Sequence, residues 1–249
     1  MIEARSLTKT FKNQKVLDNL DLTIPEGKIT VIMGPTGTGK SVLLKLILGL
    51  LKPDSGEILV GGRDIVTMSE EELSGMRKQF GVCFQDSALF DSMSVGENVG
   101  FPFTMHTDLS HSEIAGEVAL LLKEVGLAGI EKKMPAQISG GMRKRVGLAR
   151  ALALNPKVLL FDEPTTGLDP VMTSAINTLI KEVQGKSGAT SLVISHDIHG
   201  AFELGDNLAI LYEGKIAFHG SPDEFNRTDN PLVRQFVGGL LEGPINPIQ

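Results

Sequence analysis

The chain has little of what staples a fold, anchors it in a membrane or draws it to nucleic acid. Among 249 residues there is one cysteine, Cys83. A disulfide within the chain and a cysteine-based zinc site are both excluded. A single thiol is the usage of a reducing compartment. Basic residues are not in excess: 24 Lys and Arg face 30 Asp and Glu, for a net charge of −6. Non-specific binding to nucleic acid needs a basic surface that displaces counterions, so no nucleic-acid partner is expected. Any anion bound here must be held by local geometry. Long apolar runs are missing too. The richest, residues 42–51, is broken by Lys45, and a membrane span needs about 20 apolar residues. The first residues mix polar and charged types and lack the apolar stretch of a signal peptide. If the protein works at a membrane, the expectation is that it does so from the cytoplasmic side, through a partner.

What is present is globular. Hydrophobic residues make up 41% and charged residues 22%, which rules out a disordered or fibrous chain. The length suits one large α/β domain. Residues 2–64 read as strands with tight turns: Leu20, Leu22 and Ile24 alternate with polar neighbours before Pro25-Glu26-Gly27-Lys28. Residues 29–33 form a run rich in β-branched side chains and end in a glycine loop. Residues 42–51 have helical character, as do 69–78 and 174–183. Residues 110–153 carry Ile114, Val118, Leu121, Leu122 and Val125 at helix spacing. Residues 80–84 and 191–194 read as buried strands. Residues 158–161 are wholly apolar, as expected in the middle of a parallel sheet. Residues 208–211 and 215–219 flank Glu213-Gly214, a hairpin signal. Residues 238–249, rich in Gly and Pro, read as an extended tail.

Three segments carry chemistry. Gly34-Pro35-Thr36-Gly37-Thr38-Gly39-Lys40-Ser41 matches G-x-x-x-x-G-K-[ST] in full. Glycines let backbone N–H groups wrap phosphates, Lys40 reaches the β- and γ-phosphates, and the Ser41 hydroxyl binds Mg²⁺. The helix beginning there, with Val42 in its first turn, aims its positive end at the nucleotide. Val158-Leu159-Leu160-Phe161 then leads to Asp162 and Glu163 at the carboxyl end of a strand, where ligands of parallel sheets bind. Asp162 suits Mg²⁺; Glu163 suits a general base for the attacking water. Ser139-Gly140-Gly141 opens a third helix, whose dipole favours an anion. The basic run Arg143-Lys144-Arg145 reads as a solvated helix face.

The order of these parts resembles the ATP-binding cassette (ABC) family, and the resemblance covers essentially the whole chain. It implies a P-loop NTPase of the ABC ATPase fold: a mostly parallel core sheet with flanking helices, an N-terminal antiparallel β subdomain and an inserted helical subdomain at about 87–153. The ATP-binding domain would span 1–237. Position by position, the resemblance implies that Phe11 stacks on adenine and that Gln85 touches Mg²⁺ and the lytic water. It implies that Ser139, Gly140 and Gly141 bind the γ-phosphate of ATP held by the opposite subunit. Asp169 would cross the dimer interface, and His196 would contact the γ-phosphate. ATP and Mg²⁺ are the implied cofactors, and the chain would be half of a nucleotide-sandwiching homodimer.

Some segments are narrower. Residues 139–146, residues 85–95 and Arg234-Gln235-Phe236-Val237 with Glu242-Gly243-Pro244 resemble the Mla and Mce lipid-transport branch of the family. The resemblance implies work at the cytoplasmic face of the inner membrane with an integral membrane permease. A membrane-anchored lipid-binding (MCE-domain) subunit and a small STAS-domain subunit are further implied partners. It also implies that the tail, 238–249, reaches the other ATPase subunit. Leu89, Phe90, Met93, Val95, Phe101 and Phe103 place large apolar groups in a segment otherwise built like a loop. They suit either a docking groove for a partner helix or packing on the chain's own helices. An ATPase subunit of a small-solute importer is the alternative reading.

Overall fold

The computed structural model describes residues 1–246; residues 247–249, the end of the tail read above as extended, lie outside the described residues. In chain order the strands and helices begin with β1 (Ile2–Phe11), β2 (Gln14–Ile24), β3 (Ile29–Met33), α1 (Lys40–Ile47), β4 (Ser55–Val60) and β5 (Arg63–Asp64). Next come α2 (Glu70–Arg77), β6 (Phe80–Cys83), α3 (Val95–His106), α4 (His111–Glu124), α5 (Gly140–Leu152), β7 (Val158–Asp162) and α6 (Pro170–Ser187). The chain closes with β8 (Thr190–Ile194), α7 (Ile198–Leu204), β9 (Asn207–Tyr212), β10 (Lys215–Gly220), α8 (Pro222–Arg227) and α9 (Pro231–Gly238).

Two compact units are defined by internal packing. The first comprises residues 1–73 and those from 192 onward. It carries a four-stranded antiparallel sheet of order β2-β1-β4-β5, matching the expected N-terminal β region. It also carries β3, which pairs in parallel with β9, while β9 pairs with β10 across the Glu213-Gly214 hairpin. All five residues of β3 are buried. Fully burying each Val, Ile or Met side chain is worth about 1.5–3 kcal/mol, so this strand anchors the loop that follows it.

Residues 74–191 form the second unit. Here β6 and β7 pair in parallel, Phe80 beside Val158 through Cys83 beside Phe161. Val158, Leu159, Leu160 and Phe161 are buried, as their apolar run requires. Helices α3, α4 and α5 fall within residues 95–152.

Three sequence expectations are corrected. Residues 110–153 are not continuously helical: α4 stops at Glu124, and α5 begins only at Gly140 after a single 3-10 turn, Pro135–Gln137. Gly126 and Gly129, both at positive φ, break the run. The segment around Phe101, read as loop-like, is helix α3. Gly96, Gly100 and Pro102 lower its apparent propensity, yet Ser94 and Glu97 form a reciprocal capping box that starts it. The tail is not extended over its described part. Gly239 ends α9 in the left-handed region, and the chain folds back. The Gln235 side chain then accepts the Ile245 N–H at 2.6 Å and donates to the Ile245 carbonyl at 2.8 Å.

Candidate nucleotide-binding site

In the first unit the chain leaves β3 directly into the glycine loop. Gly34 has φ +148°, and a Cβ there would collide with the Leu211 carbonyl. Gly39 has φ +101°, and a Cβ there would lie 2.8 Å from Val16 Cγ1. Only glycine fits both the backbone and the space at these two positions. Gly39 is the N-cap of α1, and no side chain caps the helix. Lys40 is buried, and its ammonium donates to the carbonyls of Gly34 and Pro35, each at 2.8 Å. Thr38 Oγ1 donates to the Pro35 carbonyl at 2.9 Å. Thr36, Gly37 and Ser41 are exposed, and Val42 is half-buried.

His196 belongs to the same unit. The N–H of Ser195 donates to the Ile32 carbonyl at 3.1 Å, so the histidine emerges beside the strand that feeds the glycine loop. Asp197 N–H donates to Ser195 Oγ at 3.0 Å, and Asp197 caps α7 by accepting the Gly200 N–H at 3.1 Å. The imidazole is exposed between these fixed neighbours. Phe11, at the end of β1, is 42% exposed, and the Lys9 ammonium sits 5.5 Å from its ring centroid. A cation on a ring face is attracted by the ring quadrupole, which leaves Phe11 as a ring positioned from one side.

The second unit holds the acidic residues and the Ser-Gly-Gly segment. Asp162 ends β7 and is half-buried, as is Glu163. Glu163 has φ +49°, uncommon for a residue with a side chain. The Thr166 hydroxyl donates to Glu163 Oε2 at 2.6 Å and so fixes the carboxylate. Ser139 caps α5 by accepting the Met142 N–H at 3.3 Å. Its hydroxyl oxygen is engaged there, while the hydroxyl hydrogen remains a donor. Gly141 faces Met172 so closely that a Cβ would collide with its terminal methyl. Asp169 caps α6, one carboxylate oxygen accepting the N–H groups of Val171 and Met172 at 3.0 Å each.

Gln85 is exposed just beyond β6. Its carbonyl accepts the Lys144 ammonium. Arg143 is exposed, as read, but the solvated-face reading is corrected for its two neighbours. Lys144 and Arg145 are half-buried, and Arg145 Nη1 donates to the Val125 carbonyl at 3.0 Å. Burial pushes the Lys144 ammonium below its ordinary pKa, with nearby Asp86 opposing the shift. Of the apolar residues weighed for docking, Val95 and Phe103 pack into the chain's own core. Phe90 is 42% exposed and lies 5.0 Å, centroid to centroid, from Phe101. Both line a cleft of about 580 Å³ with Phe84, Pro102, Arg77 and Arg150. Asn98, which sequence reasoning missed, is wholly buried and bonds the 90–94 loop to α3. A polar residue amid apolar neighbours was its only signal.

The ABC transporter family model matches residues 17–166. The chain belongs to the ABC transporter family, as an ATP-binding ATPase. It is 46% identical over 244 residues to the "probable ribonucleotide transport ATP-binding protein mkl" of Mycobacterium tuberculosis, covering 98% of this chain and 68% of that protein. It is 42% identical over 245 residues to the intermembrane phospholipid transport system ATP-binding protein MlaF of Escherichia coli K12, covering 98% of this chain and 91% of MlaF. A similar solved structure is a dimeric ATP-binding cassette in a post-hydrolysis state with ADP and Pi. It has a TM-score of 0.82 and 33% identity, and the match covers 89% of this chain and 99% of that one.

Proposed function

We propose that this chain is the ATPase subunit of a transporter that moves phospholipid between the inner and outer membranes, peripheral on the cytoplasmic face of the inner membrane. The observation that carries the reading is the end-to-end similarity to MlaF, which spans 91% of that protein at 42% identity. The segments 85–95 and 139–146 support the same lineage. Among the described residues no helix is long and apolar enough to cross a membrane, so the reading requires a membrane partner. That partner is a permease, seated in the cleft lined by Phe84, Phe90 and Phe101. An MCE-domain subunit and a STAS-domain subunit complete the assembly. The ATP-binding domain is 1–237, with 87–153 its helical subdomain and 238–249 a tail toward the other ATPase subunit.

In this reading the residues 34–42 cradle the phosphates and Lys40 neutralises the β- and γ-phosphates. Phe11 carries the adenine. Ser41, Asp162 and Gln85 offer a hydroxyl, a carboxylate and an amide oxygen. That all-oxygen donor set fits Mg²⁺, which when bound offsets charge on the phosphate oxygens. Glu163, steadied by Thr166, accepts a proton from the attacking water. His196 donates to the γ-phosphate. Ser139, with Gly140 and Gly141, presents its hydroxyl hydrogen to the nucleotide of a second copy, and Asp169 sits at that dimer seam. Two copies closing on ATP complete each other's sites, and hydrolysis releases them.

The name of the mycobacterial relative favours a second reading, small-solute transport. Its 68% coverage leaves about a third of that protein unmatched, which makes it the weaker guide. One experiment separates the two: purify the tagged chain from detergent-solubilised membranes and identify the bound proteins and lipids. A permease with an MCE-type subunit and enriched phospholipid supports lipid transport. A permease with a solute-binding protein and no enriched lipid overturns it.

A further inference from the structure

Helix α5 grips the chain that follows Gln85 by three side-chain positions on one face. Lys144, Gly147 and Arg150 are three residues apart, so they line up along the helix. The Lys144 ammonium donates to the Gln85 carbonyl. Arg150 donates to the Ser87 carbonyl at 2.6 Å and to the Ala88 carbonyl at 2.8 Å. Between them Gly147 brings the helix close: a Cβ there would lie 3.2 Å from Ser87 Cβ. The gripped backbone is strained. Ser87 and Ala88 follow one another at φ +61° and +44°, a left-handed region that residues with a Cβ seldom enter. Such conformations persist only where surrounding structure over-determines them. Ser87 is buried, and its N–H donates to the Phe84 carbonyl at 2.8 Å, closing a tight turn. Charge-assisted bonds are the strong ones, and here two cations spend theirs on main-chain carbonyls.

We infer that Lys144 and Arg150 are positioning residues for Gln85. They hold the main chain at 85–88 bent, so that the Gln85 amide is offered in one place. The inference rests on the proposed reading of Gln85 as a group that meets Mg²⁺ and the lytic water. Arg150 also lies 5.9 Å from the Phe90 ring. The same guanidinium therefore touches both the Gln85 turn and the aromatic lining of the cleft.

The test is steady-state ATP hydrolysis, with Mg²⁺ present, by the full chain in its assembly. The variants are Gln85→Ala, Lys144→Met, Lys144→Arg and the double variant Gln85→Ala/Lys144→Met. Misplacement of a catalytic group by about 1 Å costs up to about 100-fold. Lys144→Met is expected to lower kcat about 10-fold or more, with KM for ATP changed less than about twofold, because the phosphate loop is untouched. Lys144→Arg is expected to restore most of the rate, since it keeps a charged donor. The double variant is expected to be no slower than Gln85→Ala alone, because Lys144 acts through Gln85. Multiplying losses in the double variant would show a general structural role and overturn the inference. If Lys144→Met does not fold, Lys144→Gln is read in the same cycle by the same criterion. Full turnover in Gln85→Ala would sink the reading of Gln85 itself. A slow Gln85→Ala beside a normal Lys144→Met would sink only the positioning role.

Discussion

Replacing Asn98 with alanine should loosen the 90–94 loop from α3, and the cost can be worked from its bonds. Asn98 is wholly buried. Its Oδ1 accepts the Phe90 N–H at 2.8 Å. Its Nδ2 donates to the carbonyls of Phe90 and Met93 at 3.1 Å each and of Ser94 at 3.0 Å. Nδ2 has two hydrogens, so three hydrogen atoms are committed in all. At about 1 kcal/mol net for each, the loss is about 3 kcal/mol. Alanine is the better helix former by about half a kcal/mol, which leaves about 2.5 kcal/mol. For a chain of this size 1 kcal/mol moves Tm by about 2–4 °C, so Tm should fall by about 5–10 °C. Differential scanning calorimetry measures the fall, and hydrogen exchange at the Phe90 amide localises it. Asn98→Asp should be worse than alanine, because it turns one carboxylate oxygen toward three carbonyls in place of the Nδ2 donor. A Tm drop below about 2 °C, less than about 1 kcal/mol, would refute the idea that these bonds hold the loop.

Other outcomes follow from the same geometry. Glu163→Gln should cut ATP turnover by about 100- to 10,000-fold, the usual worth of a general base, while nucleotide binding persists; phosphate release against fluorescent-nucleotide affinity measures both. Hydrogen bonds from the Ser94 N–H and hydroxyl hold the Glu97 carboxyl below its ordinary pKa, and bonds from the Ser110 hydroxyl and N–H do the same for Glu113. Their contribution to stability is fully present above the ordinary glutamate pKa and is lost as pH falls through the lower folded values. NMR titration should therefore show both carboxyls protonating below the usual glutamate range, with fraying of the first turns of α3 and α4 at the same pH. Burial raises the Cys83 thiol to about 12, so it should stay unlabelled by thiol reagents at pH 8 until the chain unfolds. Rapid labelling of the native protein would contradict its burial.

The parts legible in the sequence were those whose physics is local. A glycine loop between a buried strand and a helix spells itself out in consecutive residues, because positive φ and close backbone approach must be met at Gly34 and Gly39 themselves. Ser139 before two glycines announced a helix start, and the four apolar residues before Asp162 announced a buried strand. Helix α3 was hidden because Gly96, Gly100 and Pro102 mask its propensity, although its capping box lay in plain view at Ser94 and Glu97. The remaining features join residues far apart in the chain. Lys144 reaches a carbonyl 59 positions away, and Arg150 reaches carbonyls 63 and 62 positions away. Gln235 turns a Gly- and Pro-rich tail back onto its own helix through Ile245. The sequence by itself determined the class of chemistry, since phosphate-binding loops and acid-tipped strands are written by neighbouring residues. Only the tertiary structure decided which charges on α5 are buried, what they hold, and where the tail goes. Those outcomes depend on which helix face packs against which loop, and residue order alone does not specify that.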